Sequence, residues 1–143
     1  MRFEVLGKPQ GKQRARVTTR GGYAMAYTPE KTATYENLIC LTYMSVKGSG
    51  QSPLWDVPLV VNITAYYEIP KSFSKKRHGE ALSGSLLPRV KPDMDNVVKV
   101  VCDALNGVAY RDDAQVVEIH ARKLYGDTPK LVIEIEEFSG VGR

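Results

Sequence analysis

Lys91-Pro92-Asp93-Met94-Asp95-Asn96-Val97-Val98-Lys99, followed by Asp103-Ala104-Leu105-Asn106-Gly107 and Arg111-Asp112-Asp113-Ala114-Gln115-Val116, marks a helix, its end and the start of a strand. Proline and acids favour a helix N-terminus, and glycine is the usual residue just past a helix end. Val97, Val98, Val101, Ala104 and Leu105 form the apolar face of this helix. Asn96, Lys99, Asp103 and Asn106 fall on another stripe, at spacings of three and four. Residues 116–125 then alternate as a strand.

The flanking segments supply the partners. Residues 59–67, Leu-Val-Val-Asn-Ile-Thr-Ala-Tyr-Tyr, are rich in β-branched and aromatic residues and read as a central strand that Pro70 ends. After a turn at Gly126-Asp127-Thr128-Pro129, Leu131, Ile133 and Ile135 alternate with Val132, Glu134 and Glu136. That pattern predicts a last strand paired to the previous one as a hairpin. At the other end, Phe3, Val5 and Leu6 begin a short strand that Gly7 and Pro9 terminate. Residues 11–20 have no apolar periodicity. Gly21-Gly22 and the run Tyr23-Ala24-Met25-Ala26-Tyr27 make them one leg of a β-hairpin with arginines along one arm. Thr28 as cap, Pro29 and Glu30 start a helix over 30–47, with Tyr35, Leu38, Ile39, Thr42, Tyr43 and Val46 at helical spacing. Ser72 or Ser74 caps a short helix over 75–82 inside a long connection. The reading is an α+β fold: one mixed-sheet domain over 1–143 with two main helices, a basic arm over 1–29, a basic connection over 71–91 and a frayed tail over 139–143.

The chain has 143 residues, 43% of them hydrophobic and 25% charged, the balance of an ordinary globular domain with a real core. Its apolar runs are far short of the ~20 residues of a membrane span. Met1-Arg2-Phe3-Glu4-Val5 lacks a signal-peptide core, so a cytoplasmic protein without a membrane partner is expected. Cys40 and Cys102 sit among apolar neighbours and are expected reduced and buried. The net charge of +4 hides a division. Residues 1–35 carry seven Lys or Arg against two acids, and residues 71–91 carry six against one. Residues 92–143 carry six against ten. Basic segments suit a polyanion, and clustered acids suit a metal.

Asp93 and Asp95 stand at the mouth of the helix, and Asp112 and Asp113 in the loop before the strand. Mg²⁺ and Mn²⁺ are hard cations that prefer carboxylate oxygens. On a phosphodiester they can help deprotonate a water and stabilise the leaving oxygen, with a lysine offsetting charge in the transition state. A helix of about 11 residues is ~16 Å long. The loop must therefore double back to unite the two acid pairs, as a strand antiparallel to the helix would. The same residues have a plainer reading: caps at Asp93 and Asp95, an i,i+4 pair between Asp95 and Lys99, and a turn at Arg111-Asp112-Asp113. The basic segments favour the nuclease, which needs both a phosphate grip and a metal.

In this order and spacing, D-x-D-N-x-x-K over 93–99, D-A-L-N-G over 103–107 and D-D-A-Q-V over 112–116 resemble the signature of the RusA-type Holliday-junction resolvases. Gly7-Lys8-Pro9-Gln10-Gly11-Lys12-Gln13-Arg14-Ala15-Arg16 and Tyr27-Thr28-Pro29 resemble the phage branch of that family. The resemblance covers most of the chain, strongly over 91–120 and loosely elsewhere. It implies a Mg²⁺-dependent endodeoxyribonuclease, with Mn²⁺ as a substitute and no organic cofactor. It also implies a homodimer whose subunits each cut one of two symmetry-related strands of a four-way junction. Matched residue by residue, the family's carboxylates fall on Asp93, Asp95 and Asp113 and its lysine on Lys99, with Asp112 in support. Some members carry a run of arginines before the first aspartate, where this chain has Lys91-Pro92. The grip on branched DNA is therefore expected from Lys8, Lys12, Arg14 and Arg16 in the arm and Lys75, Lys76, Arg77 and Lys91 in the connection.

His78 and His120 have no metal-ligand spacing with either cysteine, and Cys102 reads as a core residue. Tyr23, Tyr27, Tyr66 and Tyr67 suit either stacking on bases or packing within strands, packing being the commoner role of strand tyrosines, and Phe73, between Lys71 and Lys75, is the better candidate for an exposed wedge. Two other functions fit the same residues: a non-catalytic DNA-binding or architectural module, and a nuclease that takes flaps or forks as readily as junctions.

Overall fold

In strand β4 (Leu59–Glu68) every second side chain, from Leu59 to Tyr67, is buried. The computed structural model, which describes residues 1–140, places β4 inside a four-stranded sheet of order β1-β6-β4-β5. The other strands are β1 (Arg2–Leu6), β5 (Val116–Gly126) and β6 (Lys130–Glu137). β4 runs parallel to β5 and antiparallel to β6, and β6 runs antiparallel to β1. The sheet is mixed and its central strand is the β-branched run, as expected. Residues 141–143 of the expected tail lie outside the described residues.

The expected hairpin between the last two strands is not formed. β5 and β6 both pair with β4, on opposite sides, and residues 127–129 pass over its end. A parallel partner needs a long crossover, which the helix between β4 and β5 supplies. β6 then fills the remaining edge. Gly126 permits the passage: a Cβ there would lie 2.9 Å from Cδ1 of Tyr66.

Helices α1 (Glu30–Lys47) and α3 (Met94–Leu105) pack on one face of the sheet. Tyr35, Ile39 and Tyr43 of α1 and Val97, Val100, Val101 and Leu105 of α3 meet Phe3, Val5, Ile63, Ile133 and Ile135 in the core. The buried stripe of α3 is turned slightly from expectation: Val100 is buried and Val98 only half-buried. Pro29, not Thr28, is the N-cap of α1, because the first helical turn closes from Ala33 N–H to the Pro29 carbonyl at 3.0 Å. The short α2 (Lys75–Ser83) is capped by Ser74, whose Oγ accepts from Arg77 N–H at 3.2 Å, and it lies against β5. Strands β2 (Arg16–Arg20) and β3 (Tyr23–Tyr27) form a separate two-stranded ribbon. Cys40 and Cys102 are free thiols, half-buried rather than fully buried. Among the described residues no helix is long and apolar enough to cross a membrane.

Candidate functional site

The parallel pairing of β4 and β5 obliges α3 to run back along the sheet. Its start is fixed by Tyr67, near the end of β4, whose hydroxyl donates to the Pro92 carbonyl at 2.8 Å. Burial, with the nearby Asp93 charge, pushes that hydroxyl's pKa up to about 12, so it stays a donor at neutral pH. Asp93 is the N-cap of α3 by position, yet its side chain caps nothing. It meets Lys91 Nζ instead, at 3.0 Å. Asp95 is exposed in the first turn. Lys99, one turn on, is also exposed, and the i,i+4 ion pair with Asp95 is not made: the ion pairs of the α3 acids involve Asp93 and Asp103. The plain capping explanation thus fails for Asp93, and among the described residues Asp95 and Lys99 make no ion pair.

The other end of α3 is held by Tyr110, buried, which donates to the Cys102 carbonyl at 2.8 Å. Gln115 pins the loop that follows. Its Nε2 donates to the carbonyls of Leu54 and Val57 (3.2 and 2.9 Å), and its Oε1 accepts from the N–H groups of Arg111 and Asp112 (2.7 and 3.0 Å). Asp113 opens a single 3₁₀ turn, Asp113–Gln115, in this pinned loop. Its Oδ1 is buried without a hydrogen-bond partner. Burial raises the pKa of Asp113, and the charges of Asp103 and Asp112 add to the rise while the Tyr110 hydroxyl opposes it. Burial, aided by the Asp113 charge, also pushes the Cys102 thiol up to about 11, which makes it a poor nucleophile, as its core reading implies.

The loop does double back, but it returns beside Cys102 and Asp103 rather than beside Asp93. Cys102 lies seven residues past Asp95, ~10 Å of helix rise at 1.5 Å per residue. The expected acids therefore lie along α3 rather than around one point. Among the described residues no three His, Cys, Asp or Glu side chains stand together as a group that could hold a metal ion. Two features do fit a hard divalent cation: the acids offer oxygens only, and the orphaned Oδ1 of Asp113 lacks a partner that a cation would provide.

A cleft of about 500 Å³ opens beside the start of α3, with Lys8, Lys31, Lys91, Asp93 and Asn96 in its wall. A second cleft of about 440 Å³ shares Lys8 and Lys91 and adds Lys71. The arm is laid tightly over α3 there. Lys12 N–H donates to the Asn96 carbonyl at 2.8 Å, and a Cβ on Gly11 would come within 2.8 Å of Asn96 Cβ. Lys12, expected on DNA, has its ammonium on Glu36 at 2.8 Å and Asp103 at 3.2 Å. Arg14 and Arg16 are exposed, as are Lys75, Lys76 and Arg77 on α2. Two aromatic expectations are reversed. Phe73 is half-buried, edge-on to Tyr125 with Arg77 4.2 Å over its ring, whereas Tyr23 and Tyr27 pack on nothing in the core. Sequence reasoning placed Asp103 on a helix stripe without a role and passed over Glu36, Lys31 and Tyr110. Only Asp103 carried a signal, its place in D-A-L-N-G one turn beyond Lys99.

Residues 7–136 match the family model for the endodeoxyribonuclease RusA. The chain is 34% identical over 143 residues to the uncharacterized protein YqaN of Bacillus subtilis (strain 168), covering 97% of each chain. It is 31% identical over 83 residues to the crossover junction endodeoxyribonuclease rusA of Lactococcus phage r1t, across 57% of this chain and 56% of that protein.

Proposed function

The chain belongs to the RusA endodeoxyribonuclease family, and from that membership we propose that it resolves four-way DNA junctions by paired, symmetric phosphodiester cleavage as a homodimer. The observation that carries this reading is the lysine-walled cleft at Asp93: phosphate grip and an acid free of capping duty share one surface. Asp93 and Asp95 at the start of α3, and Asp113 with Asp112 in support near its end, would offer Mg²⁺ or Mn²⁺ two separate sets of carboxylate oxygens, since among the described residues the three do not close around one ion. The bound cation would supply positive charge at the scissile phosphate and acidity to a water. Lys99, exposed and without an ion-pair partner among the described residues, would bring its ammonium to the same phosphate. Lys8 and Lys91 would hold the strand in the cleft, with Lys75, Lys76 and Arg77 gripping a neighbouring arm. Arg14 and Arg16 would add phosphate contacts from the ribbon. One chain carries one such set of residues, and a four-way junction has two-fold symmetry, so paired cuts call for two copies.

The reading as a non-catalytic module accounts for Asp112, which caps the 3₁₀ turn, but not for Asp93, whose side chain caps nothing. The expected result for Asp93→Asn is loss of Mg²⁺-dependent cutting of a synthetic four-way junction with binding retained. Full cutting by that variant would overturn the assignment. Offering junction, fork, flap and duplex to the wild-type protein separates a junction resolvase from a broader branched-DNA nuclease. Paired nicks confined to the junction are expected.

A further inference from the structure

The ribbon β2–β3 is built as if for a partner. It turns at Gly21 and Gly22, both with positive φ (61° and 83°), the backbone that a two-residue hairpin turn demands. Its register pairs Arg16 with Tyr27 and Thr18 with Met25. Side chains alternate along a strand, so Arg16, Thr18, Tyr23, Met25 and Tyr27 share one face. That face is open: Tyr23 is 76% exposed, Met25 60% and Tyr27 47%. Every described side chain of both strands is exposed, and an isolated two-stranded ribbon is marginal in water. Yet its root is firm. One leg is tied by the Lys12 bond to Asn96 and by Gln13 N–H to Thr32 Oγ1 at 3.1 Å, and the other runs into the start of α1. The ribbon therefore stands off from the same edge of the molecule as the lysine-walled cleft.

We infer that this ribbon is a stacking element: its Tyr23–Met25–Tyr27 face docks on base-pair faces exposed at the branch point of DNA. This rests on the nuclease reading above and adds what recognises the branch. Charge decides the occupant. No acid occurs between Glu4 and Glu30, while Arg14 and Arg16, both exposed, flank the aromatic face. In a two-fold contact with a second copy the same face would meet itself, setting arginine-rich segments together with no acid to offset them. DNA supplies the opposite charge. A two-stranded ribbon fits a DNA groove. A branch point, unlike continuous duplex, presents unstacked base pairs on which aromatic rings and a methionine gain contact.

The test places 2-aminopurine, a base whose fluorescence rises on unstacking, at the branch point of a four-way junction, in EDTA so that no cutting occurs. The wild-type protein should raise that fluorescence, and should not when the probe lies in the middle of an arm. Tyr23→Ala and Tyr27→Ala should each weaken junction binding by about fivefold or more and abolish much of the signal. The salt dependence of binding should hold steady, since no charge is removed. Tyr27→Phe should retain the signal, which separates stacking from mere folding of the ribbon. Arg16→Gln should instead lower the salt slope by about one phosphate. An unchanged branch-point signal in the Tyr23→Ala/Tyr27→Ala protein overturns the inference. A fall in its mass in solution with junction opening intact also overturns it, by assigning the face to a second copy. Failure of the wild-type protein to bind a junction would overturn the nuclease reading along with it, whereas normal junction binding with an unaltered signal would sink the ribbon inference alone.

Discussion

Replacing Lys12 by methionine keeps the length of the side chain and removes its ammonium. Two roles for that ammonium make opposite forecasts. As a phosphate contact, Lys12 would matter to DNA affinity and not to stability. As a clip, it would matter to stability first, because Lys12, Glu36 and Asp103 join the arm, α1 and α3 at one point. The side chains of Lys12 and Glu36 are about one-fifth exposed and that of Asp103 about one-third. Exposed ion pairs are worth roughly 0–1 kcal/mol, and breaking a fully buried one costs about 3–5 kcal/mol. This triad lies between, so Lys12→Met should cost about 2 kcal/mol. At about 2–4 °C per kcal/mol for a domain of this size, Tm should fall by about 4–8 °C. Part of that loss is repulsion between the two stranded carboxylates, so Lys12→Met/Glu36→Gln should recover some of it. Thermal unfolding by circular dichroism reads the stability, and fluorescence anisotropy over a salt series reads DNA binding. The clip role requires a lower Tm with the salt slope kept. An unchanged Tm with a slope reduced by about one charge would refute it and return Lys12 to the DNA.

Two further outcomes follow from the far end of α3. The raised pKa of Asp113 means the folded chain holds that proton more tightly than the unfolded one, so its ionisation costs stability as pH rises through and above the ordinary carboxylate range. Asp113→Asn should therefore melt at a higher temperature than wild type at neutral pH in EDTA, the gap closing in acid, while losing nuclease activity. A variant that melts lower at neutral pH contradicts this. Gln115→Ala strands two carbonyls and two N–H groups, a loss of about 1–3 kcal/mol. It should also slow cutting with junction affinity intact, because Asp113 loses its pinned loop. Wild-type turnover in a destabilised Gln115→Ala protein would show that Asp113 is placed without it.

Local periodicity identified the elements well and their pairings less well. The alternations over 116–125 and 131–136 are real strands, but a Gly-Asp-Thr-Pro turn looks the same whether the chain reverses beside its neighbour or steps over it. Only the demand of β4 for two partners settles that, and this is a tertiary fact. The aromatic misreading has a similar cause. Tyr23 and Tyr27 have the composition of packing residues, and nothing local reveals that their ribbon leaves the sheet. For the site, the motif marks the acids and Lys99 as neighbours in sequence. Their spread along α3 follows from helix rise and from the Tyr110 and Gln115 anchors, whose partners Cys102, Leu54 and Val57 are remote or unmarked in sequence. Lys12 looked like every other lysine of the arm until Glu36 and Asp103 stood beside it.

The strand order has a consequence for how the chain comes into being. Among the described residues β1 finds its only partner in β6, and β4 is flanked on one side by β6 as well. A nascent chain that has emerged only as far as β5 therefore has its first strand unpaired and its central strand open along one edge. Open edges of this kind recruit other chains, and pairings between distant segments form slowly. Synthesis of this protein thus passes through a sticky stage that ends only when residues 130–137 leave the ribosome and slide between two strands made long before.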